Sequence, residues 1–110
     1  MKKTVLITGS SKGIGAATAI LFAQKGYNVV INYNDSYESA SLLCRSLVSH
    51  GYSVITQKAN VANRLEVELM VKETLYRFGS LDILVNNACI AYQGLITDTD
   101  EIDFDKIIDV

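Results

Sequence analysis

The sequence contains no proline and no tryptophan, only one histidine and only two cysteines among its 110 residues. With His50 alone, no histidine cluster for a metal ion is available within the chain. Cys44 and Cys89 are too far apart for a metal-ligand pair, and two cysteines do not make a disulfide framework. We therefore expect no metal site, and we expect both cysteines to act as small apolar packing residues.

The sequence also has no block of like charge and no long apolar run. Ten basic residues stand against twelve acidic ones, giving a net charge of -2, and this distribution provides no electrostatic footprint for nucleic acid. After Lys2 and Lys3 the apolar run covers only Val5, Leu6 and Ile7, which is shorter than the core of a signal peptide. No stretch approaches the roughly 18–20 apolar residues that cross a bilayer. We expect a cytoplasmic protein without nucleic-acid or membrane partners.

Strand-like and helix-like patterns alternate along the sequence. The hydrophobic content of 49% is enough for one buried core, so residues 1–110 are predicted to form one domain. Short apolar runs at 3–8, 28–33, 52–58 and 81–85 predict strands, and the stretches between them show helical spacing. Strands that alternate with helices predict an α/β fold, here a Rossmann-type doubly wound parallel sheet of about four strands in the order 3-2-1-4.

Two parts of this pattern carry more specific expectations. Residues 62–78 predict an amphipathic helix on which Leu65, Leu69, Lys72 and Tyr76 are roughly aligned. The segment from Thr97 onward has a helical pattern with no strand after it.

Three glycines, Gly9, Gly13 and Gly15, lie between the first strand and the first helix. In that position Gly9 can make the sharp turn, Gly13 can let the backbone approach an anion, and Gly15 can let the helix pack close to the sheet. The helix N-terminus would then face a phosphate group. A tight strand-to-helix turn without a ligand is the alternative. A P-loop is excluded because Ile14 follows Gly13 where that motif needs lysine.

Two motifs resemble those of one enzyme family. TGSSKGIG at 8–15 is similar to the TGxxxGIG signature of the short-chain dehydrogenase/reductase family, and NNAC at 86–89 is similar to that family's NNAG. The resemblance runs in order over all 110 residues. The strings VVINYN, FGSLDILVNNA and FDKIIDV are most similar to members that act as bacterial 3-oxoacyl-acyl-carrier-protein reductases.

The resemblance implies a nicotinamide cofactor bound at the glycine loop. The pyrophosphate is then expected beside the three glycines and the two serines that follow the first of them, with Ile14 near the nicotinamide. The residues concerned are Gly9, Ser10, Ser11, Gly13, Ile14 and Gly15.

The resemblance also bears on the choice between the two nicotinamide cofactors. An NAD site places an acidic residue at the end of the second strand, where this sequence has the uncharged Tyr33. Lys12 matches the basic residue that NADP-preferring members use against the 2′-phosphate, and Asn34 and Ser36 could donate hydrogen bonds to it. We expect NADP(H) to be preferred. NAD(H) is the alternative, because the Asp35 carboxylate could reach the ribose.

Further contacts to the cofactor are implied after the third and fourth strands. Asn60 and Val61 stand where the family has an Asp-Val pair that contacts the adenine, and Asn60 keeps an amide oxygen as acceptor. The segment Asn87, Ala88 and Cys89 is expected to lie along the cofactor, whereas Asn86 is expected to be partly structural. Cys89 departs from the family, which has glycine at this position.

The family's catalytic residues are a Ser and a Tyr-xxx-Lys pair, in which the tyrosine is the general acid toward the carbonyl oxygen. None of the six tyrosines here is followed four positions later by lysine, so no catalytic residue is assigned. The resemblance implies that the catalytic part belongs to a longer, homo-oligomeric member that reduces a small carbonyl compound, including one attached to acyl carrier protein. In such a member a further strand covers the strand at 81–85, so within these 110 residues its apolar edge is expected to stay uncovered.

Two other functions remain open at this point. One is a non-catalytic nucleotide-binding or interaction fragment. The other is a flavodoxin-like or S-adenosylmethionine-binding domain, against which stands the pairing of TGSSKGIG with NNAC.

Overall fold

A computed structural model describes residues 2–87 and 108–109 of the chain. The strands are β1 (Thr4–Ile7), β2 (Asn28–Tyr33), β3 (Val54–Lys58), β4 (Ile83–Val85) and β5 (Ile108–Asp109), and the helices are α1 (Gly13–Gln24), α2 (Tyr37–Ser49) and α3 (Arg64–Phe78). In this described part, no helix has the length and apolar character that would let it span a bilayer.

The strands form one parallel sheet in the order β3-β2-β1-β4-β5. Val5 of β1 is in register with Val29 of β2 on one side and with Ile83 of β4 on the other. The predicted order 3-2-1-4 and the Rossmann-type parallel sheet are thus confirmed. All four residues of β1 are buried, as is typical of a central parallel strand that is covered on both faces.

The prediction that the fourth strand leaves its edge uncovered is wrong, because the sheet has a short fifth strand. β5 pairs with β4, and Ile83 is in register with Ile108. From Thr97 onward the structure describes residues 108–109 alone, and these are a strand where a helical pattern was expected. The physical reason is that the edge of β4 offers unpaired backbone N–H and C=O groups, which an extended segment with a β-branched residue satisfies.

The core has two layers, one on each face of the sheet. On the face covered by α1 and α2, side chains such as Val5, Ile7 and Ile31 pack with Ala19 and Leu47. On the other face Leu6, Val30 and Leu84 pack with Val67 and Met70 of α3. Alternate residues of each strand therefore enter alternate layers, as the pleat of a strand requires.

The third helix packs with a face other than the one predicted from its aligned residues. Leu65, Leu69 and Tyr76 are 64%, 56% and 84% exposed. The buried side chains of α3 are Val67, Met70, Val71 and Thr74. Helical spacing fits both the predicted stripe of Leu65, Leu69 and Tyr76 and the stripe that is buried. The predicted stripe also contains Lys72, and burying it would place an unpaired ammonium group in the core.

Candidate nucleotide-binding site

The candidate site lies where the carboxyl ends of β1, β2, β3 and β4 meet. In an open parallel sheet, ligands bind outside these ends, at the point where the strand order reverses. Here the chain moves from β1 to β2 on one side and later returns to β4 on the other, so the reversal lies beside β1. The glycine turn directly after β1 therefore occupies the position that this fold uses for ligands.

Two of the three glycines adopt backbone conformations that disfavour other residues. Gly9 has a φ of 58° and Gly13 a φ of 59°, both in the left-handed region. A Cβ atom on Gly13 would meet nothing within 4 Å. Gly13 is therefore required by its backbone angle, not by a close neighbour among the described residues.

Gly15 is required for a different reason, because it has no space for a side chain. A Cβ atom there would lie 2.6 Å from Asn87 Nδ2 and 2.7 Å from both the Gly9 carbonyl oxygen and Ser10 Cα. Two of these three neighbours are backbone atoms, which cannot rotate away. The first turn of α1 thus packs directly against the glycine turn.

The N-terminus of α1 presents free hydrogen-bond donors. The first bond into the helix runs from Ala16 N to the Lys12 carbonyl oxygen at 3.2 Å, and no side chain caps the helix or places an acid in its first turn. Among the described residues, the N–H groups of Gly13, Ile14 and Gly15 consequently have no acceptor. Such a helix end carries a partial positive charge and favours an anion.

The two serines of the loop have different surroundings. Ser10 is fully buried; its hydroxyl donates to the Ile7 carbonyl oxygen at 2.7 Å and accepts from Asn32 N at 3.1 Å. Ser11 is half-buried, and its hydroxyl makes no hydrogen bond in the part of the chain that the structure describes. Of the two predicted contacts, Ser11 is the one available to a ligand, whereas Ser10 holds the turn together.

Asn32, which the sequence patterns did not single out, supports this turn from β2. Its Oδ1 accepts a hydrogen bond from Gly9 N at 3.0 Å. The sequence does carry a signal for Asn32. It is a polar residue within the apolar run of β2, and it directly precedes the predicted cofactor position Tyr33. A buried asparagine in a strand needs partners for both ends of its amide.

The segment after β4 supports the glycine turn from the opposite side. Asn87 donates from its backbone N–H to Thr8 Oγ1 at 2.9 Å and from Nδ2 to the Gly9 carbonyl oxygen at 3.0 Å. Asn86 Oδ1 is buried and has no hydrogen-bond partner within the described ranges. Ala88 and Cys89, which were predicted to lie along the cofactor, fall outside the described residues.

The carboxyl end of β2 carries no negative charge. The half-buried Tyr33 packs its ring 5.8 Å from that of Tyr37. Asn34 is exposed, and Ser36 stands at the N-cap of α2 without a side-chain capping bond. Asp35, the nearest acid, is exposed one position beyond Asn34.

Two lysines lie near the carboxyl ends of these strands. Lys12 is exposed at the N-cap of α1. Lys58, which was not predicted, is exposed and is in register with Tyr33 across β2 and β3. Neither takes part in an ion pair with another residue in the described part of the chain.

The predicted adenine contacts lie in the turn between β3 and α3. Asn60 Oδ1 accepts from Ala62 N at 3.0 Å, and Asn60 N donates to Glu66 Oε1 at 2.8 Å. The group of this side chain that has no partner among the described residues is its NH2, which is a donor. Val61 is half-buried and packs against the core layer beneath α3.

Comparisons with known proteins agree with this geometry. The family model described as short chain dehydrogenase matches residues 3–110. A 3-oxoacyl-(acyl-carrier-protein) reductase FabG of Staphylococcus aureus is 42% identical over 109 residues, which cover 99% of this chain and 44% of the relative. Versicolorin reductase 1 of Dothistroma septosporum is 35% identical over 108 residues, covering 98% of this chain and 41% of the relative.

A solved structure is similar in fold as well as in sequence. A dehydrogenase/reductase from Sinorhizobium meliloti matches with a TM-score of 0.77 and 35% identity, over 80% of this chain and 35% of that one. The chain thus spans less than half the length of these relatives.

Proposed function

Since the chain belongs to the short-chain dehydrogenase family, we propose that it contains the cofactor-binding part of an NADP(H)-dependent carbonyl reductase. The observation that carries the proposal is the glycine turn after β1, where the first N–H groups of α1 have no acceptor among the described residues and lie beside two left-handed glycines. This is the arrangement that accepts a pyrophosphate.

The residues of the turn fit a dinucleotide in shape and in charge. Gly15 has no room for a Cβ atom, so the helix end lies as close to the loop as the backbone allows. The N–H groups of Gly13 and Ile14 would bind the pyrophosphate, and the Ser11 hydroxyl would add a further donor. Ile14 is 79% exposed at the mouth of the turn, which suits a position near the nicotinamide.

The preference for NADP(H) rests on the charges at the end of β2. Tyr33 stands where an NAD site carries an acid that binds both ribose hydroxyls, so a 2′-phosphate meets no repulsion there. Lys12 and Lys58 supply positive charge, and Asn34 and Ser36 supply donors. Asp35 is the residue through which NAD(H) binding would be retained.

The reaction follows from the chemistry of the cofactor and the names of the relatives. When bound, the nicotinamide supplies a hydride to a ketone carbon while a proton is added to its oxygen. The relatives named 3-oxoacyl-(acyl-carrier-protein) reductase favour a 3-oxoacyl thioester as the substrate, including one carried by acyl carrier protein. We expect the protein to act in the cytoplasm and to assemble as a homo-oligomer.

A second function, a non-catalytic nucleotide-binding module, is compatible with the same glycine turn, because the first N–H groups of α1 can bind a phosphate whether or not a reaction follows. Such a module would bind the nucleotide and catalyse no hydride transfer. Nucleotide binding is common to both functions, and turnover distinguishes them.

The first experiment is a titration of the chain with NADPH and, separately, with NADH, followed by nicotinamide fluorescence and by thermal shift. Tighter binding of NADPH is the expected result. Binding of neither nucleotide would overturn the proposal. Residues 1–110 include no assigned catalytic residue, so turnover is measured on the full-length gene product that carries a Ser and a Tyr-xxx-Lys pair. Oxidation of NADPH by a 3-oxoacyl thioester, read from nicotinamide absorbance, would identify the reductase, and no oxidation would identify the non-catalytic module.

A further inference from the structure

Asn32 occupies a position where three strands end side by side. It is the penultimate residue of β2, it is 2% exposed, and it lies between the turn after β1 and the end of β3. A polar side chain so deeply buried is retained only where its hydrogen-bonding groups find partners.

The Asn32 side chain uses both ends of its amide. Oδ1 accepts from Gly9 N at 3.0 Å. Nδ2 donates to the carbonyl oxygens of Gln57 at 3.3 Å and Ala59 at 3.2 Å. One amide group therefore joins the glycine turn to the end of β3.

The backbone of Asn32 is tied to the same turn. Its carbonyl oxygen accepts from Ser10 N at 3.0 Å, and its N–H donates to Ser10 Oγ at 3.1 Å. Three bonds thus join Asn32 to Gly9 and Ser10. They hold a turn whose first residue has a φ of 58°.

Asparagine is the side chain that meets this combination of demands. The site requires one acceptor toward Gly9 and donors toward two carbonyl oxygens, which an amide supplies. A carboxylate of the same shape would direct an oxygen at those carbonyls and would place a negative charge beside the predicted pyrophosphate position.

We propose that Asn32 is a positioning residue of the nucleotide site. It fixes Gly9 in its left-handed conformation and sets the separation between the glycine turn, which would hold the pyrophosphate, and the turn at 59–61, which would hold the adenine. The role in nucleotide affinity rests on the proposed function. The role in holding Gly9 does not.

The test compares Asn32→Ala with Asn28→Ala in the same strand. Asn28 is also buried and its Nδ2 donates to Thr4 Oγ1 at 3.2 Å, but it lies at the opposite end of β2 from the glycine turn. Asn32→Ala should weaken NADPH binding about tenfold or more, since it leaves buried groups unpaired. Asn28→Ala should change the NADPH dissociation constant less than about twofold while lowering the melting temperature to a similar extent.

A measurement on the unmodified chain covers the case in which Asn32→Ala does not fold. In a uniformly 15N- and 13C-labelled sample, the nitrogen of Gly9 should show a scalar coupling through the hydrogen bond to the side-chain carbonyl carbon of Asn32. The Gly9 amide should also exchange slowly with solvent, although the residue itself is exposed.

Three results would overturn the positioning role. These are unchanged NADPH affinity in Asn32→Ala, an equal loss of affinity in Asn28→Ala, and a Gly9 amide that exchanges freely and shows no coupling to Asn32. If the unmodified chain binds neither NADPH nor NADH, the proposed function fails. The Gly9 coupling then still decides whether Asn32 positions the turn.

Discussion

Asn87 lies so close to Gly15 that a Cβ atom on the glycine would stand 2.6 Å from Asn87 Nδ2. The same Nδ2 donates to the Gly9 carbonyl oxygen at 3.0 Å. Asn87 therefore connects the first turn of α1, the glycine turn after β1 and the end of β4. The segments TGSSKGIG and NNAC are far apart in the sequence, yet Asn87 of the second contacts Gly9 and Gly15 of the first.

Gly15→Ala should abolish this fit. The added methyl group must displace the backbone at Gly9 and Ser10, at a cost of about 1–3 kcal/mol in the free energy of unfolding. Because the shift occurs within the predicted pyrophosphate site, NADPH affinity should fall more than about tenfold. Urea unfolding and fluorescence titration measure the two effects.

The matched control for this substitution is Gly51→Ala. Gly51 has a φ of 90°, and within the described ranges no atom lies within 4 Å of its Cβ position, so alanine there costs about 1–2 kcal/mol through backbone strain alone. NADPH affinity should not change, because Gly51 lies between α2 and the start of β3, at the amino ends of the strands and away from the predicted site. Equal affinities for Gly15→Ala and the unmodified chain would contradict the predicted site.

Lys12→Gln should separate the two cofactors. The loss of a charge-assisted contact to the 2′-phosphate should weaken NADPH binding about tenfold, whereas NADH has no such phosphate and should bind nearly unchanged. Lys25→Gln is the control, since Lys25 is exposed at the opposite end of α1. A parallel decrease for both nucleotides in Lys12→Gln would count against a 2′-phosphate contact.

Tyr33→Asp should move the preference in the direction of NADH. A carboxylate at the end of β2 accepts hydrogen bonds from ribose hydroxyls and repels a 2′-phosphate. The ratio of the NADH to the NADPH dissociation constant should therefore fall at least about tenfold. Tyr33→Phe, which alters no charge, should leave the ratio as it is, and an unchanged ratio in Tyr33→Asp would place the ribose elsewhere.

The strand order and the glycine turn could be predicted because local signals determine them. Apolar runs, helical spacing and the glycines at 9, 13 and 15 are all read within short windows, and the rule of right-handed crossovers then fixes the order of the first four strands. β5 could not be predicted in this way. The strand β5 forms by pairing with β4, so it depends on a segment that lies far from it in the sequence.

The contacts that complete the site depend on tertiary structure in the same manner. From the sequence, Asn32 can be recognised only as a polar residue within an apolar strand. Its partners Gly9 and Ala59 come close to it only once the sheet has formed. Asn60 was expected to offer its amide oxygen; this oxygen already accepts from Ala62 N and keeps one further acceptor position, and the NH2 group has no partner among the described residues. Which end of an amide is free depends on the turn around it, and residue type alone does not reveal this.

Asn63→Ala should lower the stability of the fold through α3. Asn63 Oδ1 accepts from Glu66 N at 3.1 Å as the helix cap, and the loss of such a cap costs about 1 kcal/mol in the free energy of unfolding. Ser36→Ala should cost much less, because the Ser36 side chain makes no capping bond to α2. Urea unfolding compares the two, and an equal loss of stability would show that Ser36 caps α2 in solution.

The orientation of α3 can be tested with two adjacent residues. Met70 is 2% exposed and packs beneath the sheet, whereas Leu69 is 56% exposed on the stripe that also carries Lys72. Met70→Ala should therefore cost about 2–5 kcal/mol in the free energy of unfolding through the cavity it leaves. Leu69→Ala should stay within about 0.5 kcal/mol, as is usual at the surface. The reverse order of the two values in urea unfolding would mean that the stripe of Leu65, Leu69 and Tyr76 packs against the sheet, and that α3 is rotated about its axis.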